Sequence, residues 1–266
     1  MGILRMGFTV IAVIFFVTVG DSRAQSPSPE EKGLEIAKEA DRRLSGFGDC
    51  QEIFTMTLRD DRGRSRVRRM RILTLEREDD GDWFLSIFDE PADVKGTAML
   101  TYSHTHTDDD QWLYLPALKR VKRISSKKKS GSFMGSEFSF EDFSSMEIEK
   151  YKYKYLRNEP CGDLDCFVSE WIPTYAYSGY TRMMVWHDLA EYRIQRVDYY
   201  DRKNKLLKTL LVKGYQLFDE KYWRAMHWIM ENHQTKRSTT LEYSEYRFGV
   251  GLTERDFDQA ALKRAK

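Results

Sequence analysis

Between residues 51 and 248 the chain mostly alternates apolar and polar positions with a period of two, the repeat of strands that bury one face. Phe54, Met56 and Leu58 alternate with Ile53, Thr55 and Thr57, and Asp60-Asp-Arg-Gly63 supplies a turn. Residues 64–75 read as a long returning strand, residues 83–88 and 97–102 as mostly apolar strands. Residues 150–155 spell Lys-Tyr three times over, which puts tyrosine on one face and lysine on the other. Further alternating runs between turns extend to residue 248, and Asp201-Arg-Lys-Asn204 is the clearest of those turns.

The period changes at the two ends. Ser28-Pro29-Glu30-Glu31 is a capping box with proline at the first helical position, and Leu34, Ala37, Ala40 or Asp41, and Leu44 follow at helical spacing before Gly46. Thr253-Glu-Arg-Asp256 predicts the cap of a short C-terminal helix. The prediction is a mainly β domain of about eleven strands in meander order. No β–α–β alternation suggests a parallel sheet. A single, strongly curved antiparallel sheet forming an incomplete barrel is the economical arrangement. Its concave apolar face then needs a cover, for which the N-terminal helix and the segment around residues 125–143 are the candidates.

Residues 110–142 read DQWLYLPALKRVKRISSKKKSGSFMGSEFSFED. Trp112 and Tyr114 alternate with Leu113 and Leu115 until Pro116 stops the run, and a basic segment with Lys119, Arg120, Lys122 and Arg123 follows. A Lys/Ser/Gly stretch with Lys127, Lys128 and Lys129 then carries exposed-looking Phe133, Met134, Phe138, Phe140 and Phe143. This stretch, with the preceding Phe88-Asp-Glu-Pro-Ala-Asp-Val-Lys-Gly-Thr97, resembles the LolA-like periplasmic family of outer-membrane lipoprotein-sorting proteins. Pro91, Gly96, Pro116, Gly135 and Asp142 belong to the matching motifs. The resemblance implies an incompletely closed barrel with helices as a lid, and a strand arginine that in some such carriers holds the lid shut. It also implies a periplasmic location. Relatives of this kind are often associated with export pumps of the RND superfamily, so such a transporter, or an outer-membrane acceptor, is the implied protein partner.

Composition changes the picture in three ways. Arg5, the apolar run of residues 8–19 and Ser22-Arg23-Ala24 read as a signal peptide, residues 1–24, cleaved after Ala24. The run would make a helix of roughly 18 Å, short of a bilayer core of about 30 Å. Residues 25–266 are then one domain. With 43 Lys and Arg against 42 Asp and Glu, there is no global pull toward nucleic acid. Of three cysteines, Cys161 and Cys166 flank a short turn and predict a disulfide in an oxidising compartment, leaving Cys50 as a buried free thiol.

Candidate chemistry is thin. His104 and His106 precede Asp108-Asp109-Asp110, but in a run that reads as a solvated loop rather than a metal site. His227 and His233 read as half-buried sheet residues. No GxSxG, HExxH, Walker or GxGxxG motif is present, so neither an enzyme nor a cofactor is predicted. Eight arginines between residues 59 and 77 suit the solvent face of a long strand, or contact with anionic headgroups.

The expectation is therefore a monomeric carrier of hydrophobic cargo, a lipid or lipoprotein acyl chain. Phe54, Met56, Leu58, Trp83, Leu85, Ile87, Trp112 and Tyr114 are the candidate sheet contacts, and Phe133, Met134, Phe138, Phe140 and Phe143 the candidate lid. The basic segment, Lys127–Lys129 included, would dock on a transporter or transiently on a membrane surface. Two alternatives stand beside it: an accessory protein with a filled interior, and a hydrolase with a nucleophile and base at the cavity mouth.

Overall fold

The structure is a computed structural model that describes residues 26–264. The predicted signal peptide lies outside the described residues. Thirteen strands form one antiparallel sheet. In chain order they are β1 (Asp49–Arg59), β2 (Ser65–Leu75), β3 (Trp83–Glu90), β4 (Ala98–Tyr102), β5 (Asp110–Leu115), β6 (Arg120–Ile124), β7 (Tyr151–Cys161), β8 (Leu164–Pro173), β9 (Tyr180–Asp188), β10 (Ile194–Asp201), β11 (Leu206–Phe218), β12 (Tyr222–Asn232) and β13 (Ser238–Phe248). The sheet runs from β6 back to β1, crosses to β13 and continues down to β7.

The antiparallel, open-sheet expectation holds, and the strand count rises from about eleven to thirteen. β6 was hidden inside the basic segment. It has only five residues, three of them positive, and lies at a sheet edge, where charge discourages further pairing. The two free edges, β6 and β7, are consecutive in the chain. The residues joining them, 125–150, thus leave one edge and return at the other. That connectivity makes this segment the lid over the inner face.

Helix α1 (Pro29–Leu44) begins with the predicted capping box, Ser28 and Glu31 satisfying one another's backbone N–H groups. Its buried face is small: Gly33, Ile36, Ala37 and Ala40. Gly33 lies so close to β7 that a Cβ there would sit 2.7 Å from the Tyr155 backbone nitrogen. At the other end, Thr253 and Asp256 cap a short 3-10 turn (Glu254–Phe257), which leads into α2 (Gln259–Arg264).

The sheet separates an inner core from an outer one, and a smaller cluster forms around Cys166, Val168, Met184 and Trp186. The inner one takes Phe54, Met56, Met70, Phe88, Met99, Leu113, Val185, Leu210 and Leu241, together with the lid. The outer one takes Leu85, Ile87, Ala98 and Leu100, covered by Phe257, Ala261 and Leu262, with Trp83, Trp112 and Tyr114 packed against it. This corrects the expected placement of Trp83, Leu85, Ile87, Trp112 and Tyr114. They face α2, away from the concave face. Successive side chains point to opposite faces, and in β3 and β5 both sets are apolar, so the pattern did not say which set faces in. The inner set is Phe84, Ser86 and Phe88 in β3, and Leu113 and Leu115 in β5.

Candidate functional site

Beneath the lid the inner face encloses a cavity of about 380 Å³. Ile72, Met183, Val197, Leu210, Val212 and Leu241 supply its aliphatic wall, and Tyr199, Tyr215, Trp228, Tyr243 and Tyr246 an aromatic one. Asp41 and Leu44, in the last turn of α1, line it and are also exposed, so it reaches solvent there. A second cleft of about 800 Å³ lies outside the lid, where Ser130, Ser132, Arg202, Lys203 and Lys205 make it a polar surface feature.

The lid closes the far end. Phe133 is fully buried, with its ring centroid 5.7 Å from Phe88 and 4.3 Å from Phe143. Phe138, also buried, lies 5.9 Å from Phe143, and both line the cavity. The exposed-looking aromatics are therefore packed inward, because the Ser/Gly turn around Met134 and Gly135, both at positive φ, folds the segment back on itself. Phe140 is half-buried against Phe133.

Polar tethers hold the lid to both flanks of the sheet. Lys208 Nζ donates to Asp142 Oδ2 at 2.6 Å and to the Glu137 carbonyl at 2.9 Å. Tyr180 Oη donates to Asp142 Oδ1 at 2.7 Å, and the Ser139 N–H to Oδ2 at 2.7 Å. From the opposite flank, Gln111 Nε2 donates to the Phe140 carbonyl at 2.9 Å and Arg68 Nη1 to the Met134 carbonyl at 2.7 Å. Arg68, half-buried and with its guanidinium 5.6 Å from the Phe88 ring centroid, is the strand arginine positioned against the lid. Burial lowers its affinity for a proton.

The open end is acidic. Glu52 lies on the cavity wall with no hydrogen bond or ion pair among the described residues, and burial pushes its carboxyl up to about 7. Asp82 is likewise pushed up to about 7, by burial first and then by Glu76, Glu147 and Asp41. Asp41 is raised by burial first and then by Glu147, Glu149 and Glu76. Both cavity arginines are engaged elsewhere. Arg224 donates to the Leu44 carbonyl at 3.1 Å and stacks against Phe47, and Arg193 pairs with Asp188 at 2.8 Å. Trp228 Nε1 is buried on the wall without an acceptor among the described residues.

Phe54, Met56 and Leu58 sit on the inner face, beside rather than around the open volume. Lys119, Arg120, Lys122, Lys127 and Lys128 are exposed, as is Arg123, which pairs with Asp110. Lys129 departs from this set. It is buried, 3.7 Å from Asp108 and 4.0 Å from the Tyr175 ring centroid, because it anchors the start of the lid. Pro91 and Gly96 shape the β3–β4 connection, Pro116 opens a 3-10 turn between β5 and β6, and Asp142 is the lid anchor.

Cys161 and Cys166 are joined in a disulfide, and Cys50 is free and buried at the acidic end. His104 Nδ1 lies 2.6 Å from Asp80, and among the described residues no group of His, Cys, Asp or Glu is placed to hold a metal. His227 is exposed rather than half-buried, and His233 lies in the turn after β12, 2.8 Å from Thr209.

Glu52, Lys208 and Arg68 were not singled out in the sequence. A signal existed for two of them. Glu52 shares the inward parity of Phe54 and Met56, and Lys208 that of Leu210 and Val212. A charge at an inward position of a strand is the mark of a tether or a site.

A domain named as an outer membrane lipoprotein-sorting protein, from Vibrio parahaemolyticus, is 54% identical, with a TM-score of 0.87 over 88% of this chain and 100% of that one. This chain belongs to that family of outer-membrane lipoprotein-sorting proteins. A DUF1329 family protein from Desulfovibrio piger is similar at 29% identity and a TM-score of 0.84, over 89% of this chain and 100% of that one. A LolA superfamily protein from Nitrosomonas europaea shares the fold, at 19% identity and a TM-score of 0.70 over 86% of this chain and 98% of that one. A family model described only as an uncharacterized protein family matches residues 80–264 of this chain, a span that contains the lid and β3 through β13. No curated protein matches it.

Proposed function

We propose that this LolA-like protein is a periplasmic carrier that takes one hydrophobic chain of a lipid or lipoprotein into the cavity and hands it on between envelope components. The observation that carries this reading is the apolar cavity itself, continuous from the lid phenylalanines to the surface beside α1. An accessory protein would bury that volume as packed core, and interiors are normally close-packed. Each methylene moved from water into such a wall stabilises the complex by about 0.8 kcal/mol, so a chain binds without covalent chemistry. No nucleophile–base pair is needed, and the hydrolase alternative draws no support from the polar groups that line the cavity.

Loading needs the lid or the α1 end to move, and release needs a surface that favours the open state. The exposed basic residues from Lys119 to Lys128, beside the exposed Leu118, suit that role on an anionic membrane or an acidic transporter face. A pump of the RND superfamily is one such partner. The test is uptake of a fluorescent acyl probe. The native chain should bind about one probe, and Val212→Trp, which fills the cavity, should bind none while keeping its circular dichroism. Equal uptake by both, or none by the native chain, sinks the reading.

A further inference from the structure

The open end of the cavity holds more acid than a purely apolar cargo requires. A carboxyl buried without a partner is costly, and native folds rarely keep one without use. Glu52 is half-buried on the cavity wall and makes no hydrogen bond or ion pair among the described residues. It projects into the cavity from β1, and the positive charge that acts on it, Arg224 on β12, donates to the Leu44 carbonyl and makes no salt bridge to it. Around the same end stand Asp41 from α1 and Asp82 before β3. Arg193 at the β10 side is committed to Asp188, Cys50 is a neutral thiol, and Glu141 on the lid is pushed up to about 7 by burial. Carboxyls thus outnumber arginines along the cavity wall.

Aromatic rings complete the surroundings. Tyr246 pairs with Glu52 across the β1–β13 ladder, and Tyr243 stacks on Tyr246 at 5.1 Å. Faces of tyrosine and tryptophan attract cations, most strongly out of water. A carboxylate beside stacked tyrosines, at the mouth of an apolar cavity, is an arrangement for an ammonium carried on a hydrocarbon tail. An anionic head placed there would meet three carboxyl groups, with Arg224 the one lining arginine outside an ion pair among the described residues.

Resting on the carrier reading, we infer that the cavity selects amphiphiles with a cationic head, held at Glu52 and the Tyr243–Tyr246 stack, with the tail running toward Phe138 and Phe143. The head lies at the α1 end, and the lid meets the tail.

Three probes with one tail test this by calorimetry: dodecyltrimethylammonium, dodecanol and dodecanoate, each below its micellar concentration. At pH 8 the ammonium should bind about tenfold or more tighter than dodecanoate, the ratio expected for about 1.4 kcal/mol of head recognition. At pH 6, where Glu52, Asp82 and Glu141 are largely protonated, the ratio should shrink. Glu52→Gln should lower the ammonium-to-dodecanol ratio severalfold at pH 8. If that variant misfolds, the pH series on the native chain decides alone. Equal binding of all three heads, or tighter dodecanoate, overturns the head assignment and leaves the carrier intact. Failure of dodecanol and both ions to bind overturns the carrier, and this inference with it.

Discussion

The two ends of the cavity are built on opposite principles. At the lid end the buried charges are paired. Asp142 receives Lys208, Tyr180 and the Ser139 N–H, and four phenylalanines fill the space between. At the α1 end Glu52 makes no hydrogen bond or ion pair among the described residues, and Asp41 and Asp82 are held protonated to higher pH than usual by burial and by neighbouring acids. Satisfied buried polar groups specify one conformation, whereas unsatisfied ones store a cost that a ligand can relieve. The lid end thus acts as a closure, and the α1 end as a receptor.

The sharpest way to break this contrast is at the closure. Lys208→Met leaves Asp142 buried without its cation and should cost about 3–5 kcal/mol in chemical denaturation. Phe133→Ala removes a fully buried ring and should cost a similar 3–5 kcal/mol. Arg68→Ala removes one charged donor and should cost about 1.5–3 kcal/mol. Its signature is faster amide hydrogen exchange over residues 130–145, with α1 unchanged. Unchanged exchange in the lid would remove Arg68 as its tether.

At the receptor end the effect reverses sign. Glu52 titrates near 7 in the fold against 4.5 in its ordinary state. The stability contributed by its protonated form is complete below about pH 4.5 and lost as pH rises through 7, and Asp82 and Glu141 act alike. Glu52→Gln should therefore stabilise the empty protein at pH 8 by about 1–3 kcal/mol, with little effect at pH 4. A loss of stability at pH 8 would mean that Glu52 is paired. The smallest effect is expected at the exposed Leu118, where Leu118→Ser should stay within about 0.5 kcal/mol.

The same contrast marks what the sequence disclosed. The α1 cap, the Tyr/Lys alternation of β7 and the turns were legible because local residues decide them. The role of residues 125–150 as a cover was legible from composition, but its tethers were not, since Lys208 and Arg68 lie far from it in sequence. The inner and outer faces of β3 and β5 could not be told apart because both are apolar. What separates them is the C-terminal 3-10 turn and α2, which pack on the outer face through Phe257 and Leu262, and no strand pattern announces that packing. Glu52 was readable as an inward-parity acid, yet its meaning depended on a cavity that only the assembled sheet creates.

The central claim, that the cavity carries a hydrophobic chain, is tested most directly by native mass spectrometry of the protein taken from its own periplasm, followed by lipid extraction. The account predicts one noncovalently bound amphiphile per chain, lost in Val212→Trp. Protein that emerges without a ligand, and that also refuses an acyl probe in solution, would contradict it.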